Sequence, residues 1–258
     1  MAIIDPGPEG DQHFEALVRA INGRKLIAIL LTHTHKDHSA MAKRIAKHYG
    51  APIWFEGKHR LSRPKRLLEV NLLHKACDWD LPPDQELADG QTIDINGTIL
   101  EIVATPGHCA NHICFGIVGE KYLFSGDHVM GWNSTLVANP DGSLDDYFNS
   151  LHRLTEKNWS HFLPGHGGEI ADLGAKNNAK TFTKELLRHR EGRNSQILQL
   201  LDNGTNNVQN IVDTIYPEAK AKIRIAAMMT IMAHVEYLEK ADRIIVKRGV
   251  FGTKIFSA

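Results

Sequence analysis

Several features that would place a chain in a particular class are scarce or missing here. Three cysteines occur in 258 residues, Cys77, Cys109 and Cys114, and their spacing shows no paired ligand pattern and argues against a disulfide framework. Lysine plus arginine and aspartate plus glutamate both total 30, so no global charge favours a polyanionic partner. No apolar run approaches the roughly 20 residues of a membrane-spanning helix, and the start lacks a signal-peptide pattern. We therefore expect a soluble, cytoplasmic protein.

Histidine, in contrast, is abundant, with 15 residues. His33, His35, Asp37 and His38 fall within six positions directly after the apolar run 26–31, which predicts a buried strand. Because a strand points alternate side chains to one face, His33 and His35 are expected to project together towards one metal ion. Asp37 and His38 fall where the chain should turn out of the strand, and in irregular backbone they can converge on a second ion. Packing alone does not explain this cluster, so it predicts a metal site.

Strand and helix patterns alternate around this stretch. Strands are predicted near 2–4, 26–31 and 53–55, and helices at 11–22 and 39–50. This alternation is typical of a layered α/β architecture. The region 56–87 predicts a long surface excursion. Its basic cluster could meet a phosphate-bearing substrate, although a solvated charged face is the commoner explanation; the cluster comprises Arg60, Arg63, Lys65 and Arg66.

Three later turns each carry one candidate ligand. A hairpin around Asn96-Gly97 leads to His108, and a second pair of strands leads to Asp127. The strand-like run 161–163 leads to His166. Each turn contains glycine, which lets the backbone bend sharply close to a site. The same construction therefore recurs three times.

Helical patterns dominate after about residue 175, at 182–201, 208–215 and 223–238. A hairpin pattern follows at 243–256. Three helices followed by a hairpin suggest a winged-helix module. We therefore expect two domains, a catalytic domain at 1–180 and a winged-helix-like domain at 181–258.

The ordered set of candidate ligands, together with the Asp5-Pro6-Gly7 turn, resembles the metallo-β-lactamase superfamily over residues 3 to about 170. Segments 189–193 and 233–238 resemble the winged-helix extension of its lactamase-β-2-like branch. The resemblance implies an αββα sandwich with the site along one edge of both sheets. Family members usually begin with additional strands before the Asp-Pro-Gly turn, so we expect a sandwich without those first strands in residues 1–258.

The resemblance also implies the role of each ligand. The first metal would be held by three residues, the second by three others, and a bridging carboxylate would join them: His33, His35 and His108, then Asp37, His38 and His166, then Asp127. Two zinc ions are expected, with iron or manganese as alternatives. A hydroxide bridged between two cations would be the nucleophile, because cations lower the pKa of water from about 15.7 towards neutrality. Asp37, His108 and Asp127 are the expected catalytic residues.

The scissile bond stays open at this level. An ester, thioester, lactone or phosphodiester is expected, and relatives in this branch include endoribonucleases that act on single-stranded RNA. The substrate would be a small molecule or single-stranded RNA, with a homodimer as the oligomeric state and no membrane partner. Four residues are expected to line the substrate groove: His112, Trp132, Asn133 and Ser134. The segment 139–142 could line it too, whereas His59 is expected to be an ordinary packing residue and His128 to support the site or pack.

Two other classes compete with the hydrolase. In one, a nucleic-acid-binding winged helix is the functional part and the metal site is structural. The predicted helix 223–238 carries few cations, and only Arg243, Lys247, Arg248 and Lys254 in the hairpin favour phosphate binding. In the other, a redox enzyme would require iron. The intact ligand set favours the hydrolase.

Overall fold

The computed structural model describes residues 1–132, 134–171, 179–249 and 252–258. Its helices are α1 Asp11–Ile21, α2 Lys36–Ser39, α3 Ala42–Tyr49, α4 Leu144–Glu156, α5 Ala179–Asp202, α6 Val208–Ile215 and α7 Ala221–Lys240. Its strands are β1 Ala2–Ile4, β2 Ala28–Leu30, β3 Ile53–Phe55, β4 Gln85–Glu86, β5 Thr92–Ile95, β6 Thr98–Ala104, β7 Ile113–Ile117, β8 Tyr122–Gly126, β9 His161–Pro164, β10 Ile244–Gly249 and β11 Gly252–Ser257.

The first sheet contains four parallel strands in the order β1-β2-β3-β4. Helix α1 connects β1 to β2, and α2 and α3 connect β2 to β3, as the alternation in the sequence predicts, because parallel neighbours need a crossover; the excursion connects β3 to β4. In β2, Ile29 packs on one face with Phe14 of α1 and Ile45 of α3, whereas Ala28 and Leu30 face the opposite way. Both faces of β2 are therefore buried, which accounts for its uninterrupted apolar sequence.

The second sheet contains five strands in the order β5-β6-β7-β8-β9, antiparallel except for the parallel pair β8-β9. Ile102 and Phe115 on one face meet Leu30 of the first sheet in a shared core. Cys114 and Phe162 on the other face pack against α4 and α5. Helices thus cover the outer face of each sheet, and the expected αββα sandwich is confirmed.

The C-terminal helices share one core with the hairpin β10-β11. Ile197, Val212, Ile231 and Ile255 come from α5, α6, α7 and β11 and are all buried in it. The N-terminal half of α5 packs instead in the sandwich core, through residues such as Leu187. One helix therefore takes part in both cores, and it begins two residues before the expected boundary at residue 181. The division into two domains and the winged-helix identity of the second stay predictions.

The excursion 56–87 contains a short 3₁₀ turn and β4. Arg63 and Arg66 do not belong to a solvated face, whereas Arg60 and Lys65 of the predicted cluster are exposed. Arg63 donates hydrogen bonds to both Glu69 and Glu236, and Arg66 forms an ion pair with Glu236 at 2.9 Å. Because Glu236 lies on α7, these arginines tie the excursion to the C-terminal helices. Arg60 is paired with Glu56.

No described helix is long and apolar enough to cross a membrane.

Candidate metal centre

The histidine-rich stretch begins just beyond β2 rather than inside the strand. β2 ends at Leu30, so His33 and His35 are directed by a loop and not by strand alternation. His35 forms an isolated bridge with Cys77, and Asp37 and His38 lie in the four-residue helix α2, not in irregular backbone. The predicted convergence is observed, but a helical turn produces it.

Asp5 fixes the base of this stretch. Its carboxylate accepts hydrogen bonds from Thr32 N at 2.7 Å, from Thr32 Oγ1 at 2.7 Å and from His38 Nδ1 at 3.0 Å. Since Thr32 Oγ1 donates its proton to Asp5, it can only accept from His33 Nδ1, which lies 3.0 Å away. Through Thr32, Asp5 therefore leaves the inward nitrogen of His33, Nε2, without a proton, and its own contact with His38 Nδ1 directs His38 Nε2 into the site.

The first group of ligands consists of His33, His35 and His108, whose ligand atoms all lie within 4.8 Å of one another. His108 Nδ1 donates to Leu136 O at 2.7 Å, and His35 Nε2 donates to Asp141 Oδ2 at 2.9 Å. Their other nitrogens, His108 Nε2 and His35 Nδ1, face each other at 2.8 Å. Both then carry lone pairs, and two lone pairs at this distance repel unless a cation lies beside them.

The second group consists of Asp37, His38 and His166, and it is more open. The side chain of Asp37 is 54% exposed and that of His166 is 35% exposed, whereas His38 is buried. His38 Nε2 and His166 Nε2 approach to 3.2 Å, and Asp37 Oδ2 lies 3.3 Å from His166 Nε2. Solvent and a substrate can reach this group.

Asp127 lies between the two groups. Its carboxylate is 3.3 Å from His38 Nε2, 3.6 Å from His166 Nε2 and 3.7 Å from His108 Nε2. Oδ1 is buried and has no partner in hydrogen-bond geometry, although His38 is close. Burial opposes ionisation of Asp127, but the three histidines outweigh it and hold its pKa well below the usual range. This carboxylate therefore keeps a negative charge that both groups share.

The pKa values of the histidines differ between the groups. Burial lowers the pKa of His33 far below its usual value and that of His108 to about 4, and the neighbouring imidazoles lower both further. Burial also opposes protonation of His38, yet Asp127 and Asp5 raise its pKa to about 10. His38 of the second group therefore attracts positive charge, whereas His33 and His108 of the first group are neutral at pH 7.

These observations fit a metal ion in each group. His33 Nε2 and Asp127 Oδ1 are buried without hydrogen-bond partners, and such orphaned atoms are costly unless a ligand satisfies them. Imidazole nitrogen and carboxylate oxygen are the donors that zinc and similar cations prefer. The outer nitrogens of His33, His35, His38 and His108 are already fixed by hydrogen bonds, which preorganises the inward ones.

Two glycines let the backbone approach this centre. A Cβ on Gly165 would lie 2.6 Å from His38 Cε1 and 2.8 Å from Asp127 Oδ1, so a side chain there would displace both. Gly107, with a φ of +143°, would bring a Cβ within 2.4 Å of Tyr147 Cα on α4. The glycine-containing turns predicted from the sequence are therefore required sterically.

Sequence reasoning missed the importance of Asp141 and His59. Asp141 is buried, and its second oxygen accepts a hydrogen bond from His59 Nε2 at 2.8 Å. His59 Nδ1 lies 2.9 Å from Thr34 Oγ1, and Asn111 Nδ2 donates to the same oxygen. The turn 139–142 hinted at a loop near the site, but no spacing connects residue 59 with residue 141. This buried network fixes the orientation of the His35 ring.

The remaining candidates occupy different surroundings. His112 is 1% exposed, and its Nδ1 contacts Thr105 Oγ1. Its Nε2 accepts a hydrogen bond from Asp127 N at 3.2 Å, so His112 fixes the backbone of Asp127. His128 is buried beside Tyr147, and burial lowers its pKa to about 3. Trp132 and Ser134 line a cavity of about 320 Å³ with Phe182. Asn133 lies outside the described residues.

The model of the metallo-beta-lactamase superfamily matches residues 2–165 of this chain. This range includes six of the seven candidate ligands and ends one residue before His166.

Among curated relatives, the lactamase-like protein adaB of Aspergillus niger is 31% identical over 205 residues, which are 78% of this chain and 55% of that protein. The chain therefore spans about half the length of this relative. The atrochrysone carboxyl ACP thioesterase of Aspergillus chevalieri is 28% identical over 240 residues, covering 88% of this chain and 67% of that protein. Among solved structures, a metallo-beta-lactamase family protein from Thermus thermophilus has a TM-score of 0.75 at 24% identity and covers 99% of this chain and 89% of its own.

Proposed function

The chain belongs to the metallo-beta-lactamase superfamily, and from this premise we propose that it is a dinuclear metal-dependent hydrolase that cleaves thioesters. One observation carries the hydrolase proposal. Two groups of ligand atoms, one closed and one open, flank a single carboxylate that has an unpaired buried oxygen. The thioester is proposed because a relative that aligns with 88% of the chain is named an atrochrysone carboxyl ACP thioesterase.

The ligands divide between two metal ions, which we propose to be zinc. His33, His35 and His108 would hold one ion, and Asp37, His38 and His166 the other. Asp127 would contact both, since its carboxylate approaches histidines of each group. Bound metal ions would lower the pKa of a water molecule and polarise the substrate carbonyl.

Asp37 is the proposed proton carrier. Among the described carboxylates of the centre, Asp37 combines a position in the ligand group with a largely exposed side chain. Its Oδ2 can take the proton of the attacking water as the new carbon–oxygen bond forms. The same proton can pass to the departing sulfur when the carbon–sulfur bond breaks, which yields a carboxylic acid and a thiol.

Asp5, Asp141 and Leu136 are proposed to act through the histidines. Each accepts a hydrogen bond from the outward nitrogen of one histidine, which sets the direction of the inward nitrogen. The rings need no reorganisation when a cation binds. In the first group, this arrangement favours tight binding of a metal ion over its rapid exchange.

The proposal is tested by measuring metal content and turnover together. Protein purified without added metal is analysed for zinc, iron and manganese, and then assayed with an acyl-N-acetylcysteamine thioester, a lactone and a single-stranded RNA. We expect two equivalents of metal and fastest turnover of the thioester. Asp80→Asn, which changes an exposed aspartate that is not among the candidate ligands, serves as the matched control. If the protein binds two equivalents of metal but cleaves RNA faster than the thioester, the scissile bond is a phosphodiester and not a thioester. Iron together with a redox reaction would overturn the hydrolase.

A further inference from the structure

A second cavity, of about 360 Å³, lies between Met130 and residues 134–136 on one side and the C-terminal helices on the other. Three of its lining residues are on one face of α5, namely His189, Arg190 and Arg193. Tyr216, Ile223 and Ala227 contribute apolar surface on the opposite side. Its volume falls within the range that small-molecule ligands commonly occupy. None of the candidate metal ligands is among its described lining residues.

Arg190 is the unusual group in this cavity. It is 3% exposed, and its Nε is buried without a hydrogen-bond partner. One terminal nitrogen donates to Thr135 O, and the guanidinium carbon lies 5.4 Å from the centre of the Tyr147 ring. In the described parts of the chain no carboxylate pairs with it. A buried cation without an anion is costly, so this site is incomplete as it stands.

Arg193 adds a second cation one helical turn away. Its guanidinium stacks over the Tyr216 ring at 4.6 Å and donates to Gln196 Oε1, and neither contact neutralises its charge. The described residues that line the cavity include no aspartate or glutamate. Two guanidinium groups and apolar walls thus line one partly open cavity, an environment that suits an anion with an apolar body.

The surrounding histidines respond to this positive charge. His234 is buried, and burial, followed by Arg190 and Arg193, lowers its pKa far below the usual value. The pKa of His189 shifts in the same direction, with burial the larger cause and the two arginines adding to it. Both imidazoles are therefore neutral at pH 7, and the net charge around the cavity comes from the arginines.

We propose that this cavity binds a carboxylate or a phosphate monoester attached to an apolar group. The anionic head contacts the guanidinium groups of Arg190 and Arg193, and the apolar part lies against Tyr216, Ile223 and Ala227. The site is connected to the metal centre, because Leu136 O in its wall accepts from His108 Nδ1 and Gly131 N donates to His166 O. The proposal does not require that the protein hydrolyse thioesters.

The test is isothermal titration calorimetry of the intact chain with three probes of one shape: benzoate, phenyl phosphate and benzamide. Benzoate or phenyl phosphate should bind at least about tenfold more tightly than neutral benzamide, as expected for a charge-assisted hydrogen bond. The tighter of the two anions identifies the natural head group. Equal affinity for benzamide and both anions would overturn the proposal.

Single substitutions test whether the anion binds in this cavity. Arg193→Gln removes one charge from a half-buried position and should weaken the anions at least about tenfold, whereas Arg188→Gln, exposed on the same helix, should change their affinity less than about twofold. Arg190→Gln should have the larger effect, and circular dichroism checks that it folds. Because both anions could also bind metal, Asp127→Ala is titrated as well and should retain the binding. Loss of binding in Asp127→Ala with no change in Arg193→Gln would place the anion on the metal centre and overturn the proposal.

Discussion

The first group of ligands, which we call the closed half of the candidate metal centre, and the second group, the open half, differ in how firmly the protein fixes their side chains. The rings of His33, His35 and His108 are buried, and hydrogen bonds to Thr32, Asp141 and Leu136 fix their outward nitrogens. Asp37 and His166 of the other half are partly exposed, and His38 is held where a proton binds strongly in the absence of metal. We propose that the closed half retains an ion and that the open half admits a substrate beside one. The following predictions test this difference.

The largest effect is expected for Asp127→Ala, because Asp127 serves both halves. Removing partners that contact only the outer side of a ligand typically costs 10–100-fold, so the loss of a shared ligand should lower thioester turnover by more than about 100-fold. Metal content should fall from two equivalents to one or less, measured by atomic emission on the folded protein. Asp80→Asn should keep both values. A variant of Asp127 with two equivalents and full turnover would remove this residue from the centre.

Asp141→Asn should affect the closed half selectively. The amide keeps the volume of the carboxylate, but it offers one acceptor where two histidines now donate, and its charge is lost. We expect the first-group affinity for zinc to fall about 10–100-fold, measured by competition with a chelator. The open half should keep its affinity within about threefold. Equal losses in both halves would show that Asp141 supports the fold as a whole.

Lowering the pH should weaken metal binding by the open half more than metal binding by the closed half. Without metal, His38 binds a proton up to a pKa of about 10, so at pH 7 the ion must displace that proton. The apparent affinity of the second group should therefore rise about tenfold per pH unit between pH 6 and 9. His33 and His108 have lowered pKa values, so the first group should change little over that range. Parallel pH profiles for the two ions would contradict the difference between the halves.

Cys77→Ala should have the smallest effect. Cys77 Sγ lies 3.6 Å from Asp141 Oδ1, and burial together with Asp141 raises the pKa of this thiol. His35, Cys77 and Asp141 could in principle form another group of ligands. A thiol that resists ionisation is a poor metal ligand, so the variant should keep two equivalents of metal and activity within about threefold. Loss of one equivalent would assign a metal to this group.

The features that could be predicted from the sequence are those that depend on residues close together along the chain. The layered α/β architecture followed from the alternation of strand and helix patterns, and the hairpin β5-β6 followed from Asn96-Gly97. The turns that carry His108, Asp127 and His166 each follow a short strand, so order along the chain was sufficient to find them.

What could not be predicted depends on contacts distant in sequence. Asp141 pairs with His35 and His59 across 106 and 82 residues, and no local pattern encodes such pairs. Arg63 and Arg66 were predicted to be solvated because their shared partner, Glu236, is distant in sequence, 173 residues from Arg63. The helical setting of Asp37 and His38 was hidden because four residues are too few for a periodic pattern.

The helix α5 passes through two cores, with Leu187 in the sandwich core and Ile197 in the C-terminal one. A helix melts cooperatively along its length, so unfolding of the C-terminal core cannot leave the sandwich untouched. We expect a single thermal transition rather than two. A destabilising substitution at Ile197 should then make amides in α4 exchange faster with solvent, although α4 belongs to the other core.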